Sequence, residues 1–445
     1  MTNTVLACVC KGRPDFQIEN QGKEGVRKMV EIAVMGYGVV GSGVVEVLSQ
    51  HEQNLARRAH EDIQVKYILV RRDYPAPPPM GRFIKDFDQI VEDPDIRVVV
   101  EVMGGLDPAY AYVKRCLQAG KSVVTSNKEL VAAKGAELLQ VARDKNANFL
   151  FEASVGGGIP IIRPMSQCLA ANDVVEVAGI LNGTTNYILT KMFRDADSFD
   201  HALAEAQRLG YAERDPSADV GGGDACRKIC ILASLAYGKH VYPDQVHTEG
   251  ITRITSADVA YADAWGGVVK LIGEAHRLPD GRVQSIVCPM FISRDSQLAN
   301  VDDVFNGILV RGDVTGDVVF YGKGAGKMPT ASAVVADVID CIKHLKARKY
   351  LYWGDGSPEY VADFREAVRA FYVRAHVEGI LAADAAFDAV ERVFPGAVRL
   401  SREDAPAEEL AFVTKPVRER AFDEALRHLE KIGVYADYTI RVGNF

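Results

Sequence analysis

The chain has 445 residues, a formal net charge of -8 and 48% hydrophobic residues. This length exceeds one ordinary hydrophobic core and predicts two or three domains. The acidic balance and the lack of a Lys/Arg-rich run argue against a nucleic-acid partner. No run of about 18 apolar residues is available to span a membrane. Without a visible secretory signal, we expect a cytoplasmic protein with reduced cysteines.

The first clear motif is a glycine-rich turn between an apolar run and a helix-like stretch, "VEIAVMGYGVVGSGVVEVLSQ". Glycines at this spacing let the chain turn tightly and let a pyrophosphate approach the backbone, where the helix N-terminus supplies N–H groups. The motif therefore predicts a dinucleotide site, with a purely structural turn as the alternative. The predicted cofactor contacts at this turn are Gly36, Gly38, Val39, Val40 and Gly41.

The end of the next predicted strand bears on which dinucleotide is bound. An NAD site usually has an acid here, which accepts a hydrogen bond from the ribose 2′-hydroxyl. Arg71 and Arg72 occupy this position and are followed by Asp73. Guanidinium groups suit a 2′-phosphate, so we expect NADP, with NAD as the alternative. A solvated turn with one ion pair would also explain these residues.

Three more strand-like runs follow, separated by helical segments. Strands that alternate with helices predict a parallel, doubly wound sheet, with ligands beyond the carboxyl ends of its strands. Those ends carry Met103-Gly104-Gly105, Ser126-Asn127-Lys128 and Glu152.

A cluster of acids precedes a predicted helix in "AERDPSADVGGGDACRKICILASLAYG". Asp224 and Lys228 lie four residues apart and share one helix face near its N-terminal end. Glu213 and Asp219 precede them on a loop. An Asp and Lys at this spacing more often form a solvated pair than a catalytic one, so the pair alone decides nothing.

Other segments give a coarser reading. "LNGTTNYILTKM" fits an Asn-Gly turn followed by a Thr-capped helix, although its polar residues could also line the cleft. The segment from Val283 to Gly322 alternates apolar residues and contains Asn306-Gly307 and Asp313-Val314, which predict strands with hairpin turns. The last 80 residues or so show the order strand, helix, strand, strand, helix, strand, which is typical of a ferredoxin-like unit.

Four separated motifs together resemble homoserine dehydrogenase. They are the stretches starting "TSNKELVAAKGAELL", "GILNGTTNYILTKM", "AQRLGYAERDPSADVGGGDACRK" and "FYGKGAGKMPTASAVVADVI". The resemblance implies reduction of aspartate 4-semialdehyde to homoserine with NAD(P)H, on the route to threonine, methionine and isoleucine. A non-catalytic amino-acid sensor on the same fold is the competing hypothesis, but it would not need a proton donor.

The resemblance also implies roles for individual residues. Lys228 would be the proton donor, Glu213 would bind the substrate amino group, and Asp224 would orient substrate and lysine. Asp219 would support them, and Lys128 would neutralise the substrate carboxylate beside the nicotinamide. The remaining implied cofactor contacts are Met103, Gly104, Ser126, Gly210, Gly322 and Gly324. The backbone around "EASVGGGIP" would bind a sodium ion, with Glu152, Val155, Gly157 and Ile159 as donors, or would form a plain tight turn.

The predicted organisation has five parts. They are a poorly ordered arm (1–28), a Rossmann domain (29–152), an α+β catalytic and dimerisation domain (153–345, with 320–345 returning to the nucleotide domain), a linker (346–366) and a C-terminal unit (367–445). The last resembles the ACT regulatory domain, which implies threonine as effector and a homodimer or homotetramer. The usual Asp-x-Pro-Gly turn is absent from "HVEGILAADAAF", so a domain kept only for packing is an equal alternative.

Overall fold

The computed structural model describes residues 28–347, 351–378 and 383–445, with side chains from Ala385 onward in the last range. Most of the predicted N-terminal arm therefore lies outside the described residues. The centre of the altered turn in the C-terminal unit, residues 379–382, also lies outside them.

The N-terminal part is a six-stranded parallel sheet with helices between its strands. Its strands are β1 (Met29–Met35), β2 (Asp62–Leu69), β3 (Arg82–Ile84), β4 (Ile96–Glu101), β5 (Ser122–Thr125) and β6 (Phe149–Leu150). Its helices are α1 (Val39–Gln50), α2 (Glu52–Ala59), α3 (Asp88–Glu92), α4 (Ala109–Gln118) and α5 (Lys128–Asp144). The spatial order β3-β2-β1-β4-β5-β6 is that of a doubly wound dinucleotide-binding sheet, so this prediction is confirmed.

The middle of the chain packs helices against a mixed sheet. Its helices are α6 (Gly183–Arg194), α7 (Phe199–Arg208), α8 (Ser217–Val220), α9 (Gly223–Tyr237), α10 (Ser256–Trp265) and α11 (Lys327–Lys343). Its strands are β7 (Val174–Ile180), β8 (His247–Thr248), β9 (Gly267–Arg277), β10 (Val283–Ser293), β11 (Phe305–Gly312) and β12 (Gly316–Lys323). Helix α9 packs on β7, β9 and β10, and α11 packs on α1 of the first sheet.

The C-terminal unit extends the same mixed sheet. Its strands are β13 (Val368–Arg369), β14 (Phe371–Val377), β15 (Val398–Leu400), β16 (Glu409–Val413), β17 (Val417–Arg418) and β18 (Val434–Gly443), and its helices are α12 (Ala383–Val393) and α13 (Glu419–Glu430). Four of these strands stand side by side in the order β18-β14-β16-β15, which is the ferredoxin-like arrangement. Strand β18 pairs in parallel with β10, so one ten-stranded sheet runs through both units.

Two local predictions were wrong. Asn306-Gly307 forms no turn but lies within β11, where Asn306 pairs with Gly322 of β12. Helix α6 is capped by Asn182 rather than by a threonine, because the Asn182 side chain accepts from the Thr185 N–H. An Asn side chain satisfies a free helix N–H as well as a threonine does, and strand pairing overrides the turn preference of Asn-Gly.

Part of the predicted linker packs against the body of the protein. Trp353 is 1% exposed, and its indole N–H donates to Nδ1 of the buried His240 over 2.9 Å. The Gly354 N–H donates to the Gly238 carbonyl, and the His240 N–H donates to the Gly354 carbonyl. Residues 351–356 therefore form a strap across α5 and the end of α9.

Candidate active site

The glycine turn after β1 has the shape that a dinucleotide site needs. Gly36 has φ +104° and donates its N–H to the Leu69 carbonyl at 3.0 Å. A Cβ on Gly41 would lie 2.1 Å from the Gly36 carbonyl oxygen, so only glycine lets the helix start this close to the turn. Gly38 is the N-cap of α1, and Val39, 68% exposed, and the half-buried Val40 follow it. The helix therefore presents its first N–H groups beside an open backbone surface.

The arginines after β2 are exposed at the same edge of the sheet. The carboxylate of Asp73 contacts Lys85 at 2.7 Å, while the Arg72 guanidinium lies 5.2 Å from the centre of the Tyr74 ring. Arg71 forms no ion pair among the described residues. The guanidinium groups of Arg71 and Arg72 are thus accessible to a ligand, whereas the nearby Asp73 forms an ion pair with Lys85.

The sequence reasoning missed one buried acid at the edge of the parallel sheet. Glu101, at the end of β4, is fully buried, and its carboxylate accepts from the Met103 N–H at 2.8 Å and from the Gly104 N–H at 3.3 Å. It also accepts from the Thr125 hydroxyl at 2.6 Å. Burial raises the pKa of Glu101, although these donors oppose the shift. The sequence signal that could have indicated this buried acid is its position directly after the valine run in "VVVE".

The turn after β5 delivers Lys128 to the cleft. Asn127 caps α5 by accepting from the Leu130 N–H, and its amide donates to the Gly105 carbonyl at 2.6 Å. Ser126, directly before it, donates its N–H to the Glu101 carbonyl at 3.4 Å. These hydrogen bonds connect the loop after β4 to the loop after β5. Lys128 follows as the first residue of α5.

Lys128 meets the acid cluster at one buried carboxylate. Asp224 is 3% exposed and contacts the Lys128 ammonium through Oδ1 at 2.6 Å. Through Oδ2 it contacts the Lys228 ammonium at 2.9 Å, one turn further along α9. Lys228 is itself 7% exposed and also donates to the Leu181 carbonyl at 2.7 Å. The structure thus brings both predicted lysines to a single acid.

Asn182 joins a second acid to this group. Its amide donates to Asp219 at 2.7 Å and to Asp224 at 2.8 Å, while its carbonyl oxygen caps α6. Asn182 therefore caps helix α6 and also lies against the acid cluster.

The electrostatics of the cluster are set by burial and by mutual charge. Burial lowers the pKa of Lys228, and the positive charge of Lys128 adds to this effect, while Asp224 opposes it. Burial works against the Asp224 carboxylate, yet the two lysines outweigh it and hold its pKa well below the usual range. For Lys128, the attraction of Asp224 outweighs burial and raises the pKa. Burial and the neighbouring Asp224 raise the pKa of Asp219. A lysine with a lowered pKa gives up its proton more readily, as a general acid should.

Two predicted residues do not join the cluster. Glu213 is exposed, and its carboxylate makes no ion pair or hydrogen bond among the described residues. Its backbone carbonyl accepts from Gln207 at 3.1 Å. Gly210 ends α7 in the left-handed region and is exposed. Both residues lie on the loop that leads from α7 to α8.

The loop predicted to bind sodium is buried and packs against the late glycine turn. A Cβ on Gly157 would lie 2.2 Å from the Gly324 carbonyl oxygen, so the two backbones touch. The Gly158 N–H donates to the Lys323 carbonyl at 3.1 Å, and Gly322 lies against the Ile159 side chain. Among the described residues, nothing donates a hydrogen bond to the carbonyl oxygens of Val155, Gly157 or Ile159.

The Glu152 side chain is occupied in the same loop. Its carboxylate accepts from the N–H groups of Ile161 and Ile162 at 2.6 and 2.8 Å. It also accepts from the Arg163 N–H at 2.9 Å. It therefore stabilises the start of the next helical segment, and this side chain is not free to bind a cation.

Comparisons with known proteins agree with this geometry. Residues 36–152 match the family described as "Homoserine dehydrogenase, NAD binding domain", and residues 160–339 match "Homoserine dehydrogenase". A curated homoserine dehydrogenase from Synechocystis is 46% identical over 323 residues, which is 70% of this chain and 73% of that protein. The chain belongs to the homoserine dehydrogenase family. It is an NAD(P)-dependent oxidoreductase that acts on a CH–OH group, and the sensor hypothesis is not favoured.

Solved structures extend the likeness beyond the catalytic part. The homoserine dehydrogenase of Thiobacillus denitrificans is 34% identical with a TM-score of 0.84, and the match covers 94% of this chain and 99% of that one. A hyperthermophilic archaeal homoserine dehydrogenase in complex with NADPH is 28% identical with a TM-score of 0.61. That match covers 97% of the archaeal chain but only 70% of this one. None of the described helices combines the length and apolarity that crossing a membrane requires.

Proposed function

We propose that this homoserine dehydrogenase reduces L-aspartate 4-semialdehyde to L-homoserine with NADPH, and that Lys228 donates the proton. The observation that carries the proposal is the pair of ammonium groups, Lys128 and Lys228, on opposite oxygens of the buried Asp224 carboxylate. In the reaction, a hydride adds to the aldehyde carbon, and the carbonyl oxygen takes a proton from the Lys228 ammonium to become the new hydroxyl. Lys228 leaves this step neutral and must be reprotonated before the next turnover.

The surroundings of Lys228 suit this role. Leu181 and Asp224 hold its ammonium at 2.7 and 2.9 Å, so the donor is fixed before the reaction begins. Burial excludes water, which strengthens the attraction between the ammonium and the oxygen on which negative charge develops. Asp224 keeps the lysine charged enough to carry a proton despite its burial.

The substrate is an amino acid and needs partners of both signs. Lys128 is 42% exposed at its side chain and is assigned to the substrate carboxylate. Asp219 supports the acidic side of the cluster, and Glu213 is assigned to the substrate ammonium. Glu213 is exposed, and no described residue forms an ion pair with its carboxylate, which leaves it available to the substrate ammonium.

The residues present fit a dinucleotide. The turn from Gly36 to Gly41 leaves no room for a Cβ at Gly41, which matches a backbone surface shaped for phosphates. When bound, the nicotinamide of NADPH supplies the hydride. Met103, Gly104 and Ser126 would border it at the sheet edge, and Gly210, Gly322 and Gly324 would approach it from the other side of the cleft. The exposed Arg71 and Arg72 support NADP over NAD.

A sodium ion is proposed at the loop of Glu152, Val155, Gly157 and Ile159. Among the described residues, no donor forms a hydrogen bond to the carbonyl oxygens of Val155, Gly157 or Ile159. All three residues are buried, and buried carbonyl groups normally have a partner. A hard monovalent cation would satisfy them. The ion would then hold this loop against the turn of Gly322 and Gly324.

Assembly and regulation complete the proposal. We assign the enzyme to threonine, methionine and isoleucine biosynthesis, as a homodimer or homotetramer. The exposed edge strand β12, in which Tyr321 is 57% exposed, supports association of subunits. The ferredoxin-like C-terminal unit supports an ACT domain with threonine as effector, with a domain kept only for packing as the alternative.

The test is the oxidation of NADPH by the purified protein on addition of aspartate 4-semialdehyde, repeated with NADH, with potassium in place of sodium, and with threonine. Turnover that is faster with NADPH is the expected result. A folded protein that binds NADPH but turns over no semialdehyde would contradict the proposal.

A further inference from the structure

The turn that carries the acid cluster is supported from behind by the segment 247–251. The Ile251 N–H donates to the Val220 carbonyl at 2.8 Å. A Cβ on Gly250 would lie 2.1 Å from that same oxygen, so the two backbones are in direct contact. On the other side, Gly222 lies against the Glu249 carbonyl. Val220 to Gly223 connect Asp219 to Asp224, so a shift of this segment would move the two acids.

Glu249, within the supporting segment, connects it to the C-terminal unit. Its carboxylate accepts from the Arg441 guanidinium of β18 at 2.9 Å and contacts the His247 ring nitrogen at 2.6 Å. Its backbone N–H donates to the Val287 carbonyl of β10 at 2.7 Å. Arg441 has a 9% exposed side chain and is held from the other side by Glu419 of α13.

Phe364, in the linker before the C-terminal unit, packs against His247 and Arg441, the two partners of Glu249. The Phe364 ring stacks on His247, with ring centres 3.8 Å apart, and the Arg441 guanidinium lies 5.8 Å from its centre. These contacts hold His247 and Arg441 in place, and both of them contact the same oxygen, Oε1, of the Glu249 carboxylate.

We propose that Glu249 is a positioning residue, which transmits the placement of Arg441 in the C-terminal unit to the turn that carries Asp219 and Asp224. The inference rests on the proposed function, because those acids are assigned to the substrate and to Lys228. A carboxylate accepting from a buried guanidinium forms a charge-assisted hydrogen bond that fixes both partners. A movement of β18 relative to β10 would therefore be passed to the acid-bearing turn through the Glu249 side chain.

The ordinary reading is a surface ion pair of little consequence, since the Glu249 side chain is 35% exposed. Two features argue against it. Arg441 is nearly buried, so it has little water as an alternative partner. The backbone on either side of Glu249 also touches the acid-bearing turn directly, so the pair has a mechanical connection to the site.

The experiment compares Glu249→Gln with a matched control, Glu409→Gln. Glu409 also joins the two units, because it accepts from Arg402 at 2.7 Å and from Tyr261 at 2.9 Å, and no hydrogen bond among the described residues connects either partner to the acid-bearing turn. For Glu249→Gln we expect kcat/KM for aspartate 4-semialdehyde to fall about tenfold, mainly through KM. The KM for NADPH should stay within about twofold, and Glu409→Gln should change neither value by more than that.

Glu249→Asp provides the conservative variant, because it keeps a carboxylate facing Arg441, and its KM for aspartate 4-semialdehyde should lie closer to the wild-type value than that of Glu249→Gln. Amide hydrogen exchange gives a readout without turnover, and the Ile251 N–H should exchange faster in Glu249→Gln than in the wild type or in Glu409→Gln. An active wild type with the same KM and the same exchange in both variants would overturn the positioning role. Absence of turnover in the wild type would instead remove the proposed function on which the inference rests.

Discussion

The ammonium groups of Lys128 and Lys228 contact opposite oxygens of one carboxylate, that of the buried Asp224, at 2.6 and 2.9 Å. Lys128 begins helix α5 beside the first sheet, and Lys228 lies on helix α9, which packs on the mixed sheet. A single acid therefore joins the two halves of the cleft and holds two like charges close together.

Removing the charge of Asp224 should disable the site. In Asp224→Asn, two ammonium groups would remain close together without a carboxylate between them, which lowers the pKa of Lys228 further and misplaces it. We expect kcat to fall by about 10²-fold or more, as for loss of a general acid. Steady-state kinetics check this. Asp215→Asn is the control, since Asp215 is exposed and its carboxylate accepts from the nearby Ser217 N–H, and it should keep activity within about twofold.

The pH dependence follows from the pKa of Lys228, which is lowered by burial and by Lys128. Reduction needs the protonated lysine, so the rate should be full below this pKa and fall as pH rises through it. Oxidation of homoserine needs the neutral lysine, so the rate of that reaction should rise as pH rises through the same pKa. The fall in the reductive rate should begin below the ordinary lysine pKa of about 10.4. A reductive rate that is flat up to that pH would contradict the assignment.

The preference for NADPH should depend on Arg71 and Arg72. In the double variant Arg71→Ala/Arg72→Ala, we expect KM for NADPH to rise about tenfold or more, since each guanidinium would lose a charge-assisted contact with the 2′-phosphate. The KM for NADH should change little. Arg82→Ala is the control because Arg82 lies over the Tyr67 ring on the neighbouring strand. An equal rise in KM for NADPH and for NADH would show that Arg71 and Arg72 do not bind the 2′-phosphate.

The strap over α5 should contribute to stability. Trp353→Phe keeps most of the buried ring but removes the N–H that donates to His240, so the free energy of unfolding should fall by about 1–2 kcal/mol. Urea denaturation followed by circular dichroism measures this. Trp265→Phe is the comparison, since the half-buried indole of Trp265 makes no hydrogen bond among the described residues. Equal losses in the two variants would mean that the hydrogen bond does not contribute.

Much of the fold could be predicted because its signals are local. The Gly36-to-Gly41 turn between a strand and a helix, followed by alternating strands and helices, predicts the parallel sheet that is observed. Asp224 and Lys228 could be paired from the sequence because four residues on a helix bring side chains onto one face.

The remaining features depend on contacts between distant parts of the chain. Nothing near Glu249 in the sequence indicates Arg441, which lies 192 residues further on and reaches it through the pairing of β18 with β10. Glu101 was missed for the same reason, since its partner Thr125 lies on the neighbouring strand. Asn306-Gly307 misled because a dipeptide that favours turns was outweighed by pairing on both sides of β11.

The proton-donor role of Lys228 is tested most directly by comparing Lys228→Met with the wild type. NADPH binding would be followed by fluorescence of the reduced nicotinamide, and turnover of aspartate 4-semialdehyde by loss of its absorbance. We expect Lys228→Met to bind NADPH nearly as the wild type does, while kcat falls by about 10²–10⁴-fold. A variant that binds NADPH and turns over at a rate near that of the wild type would show that the proton comes from another group.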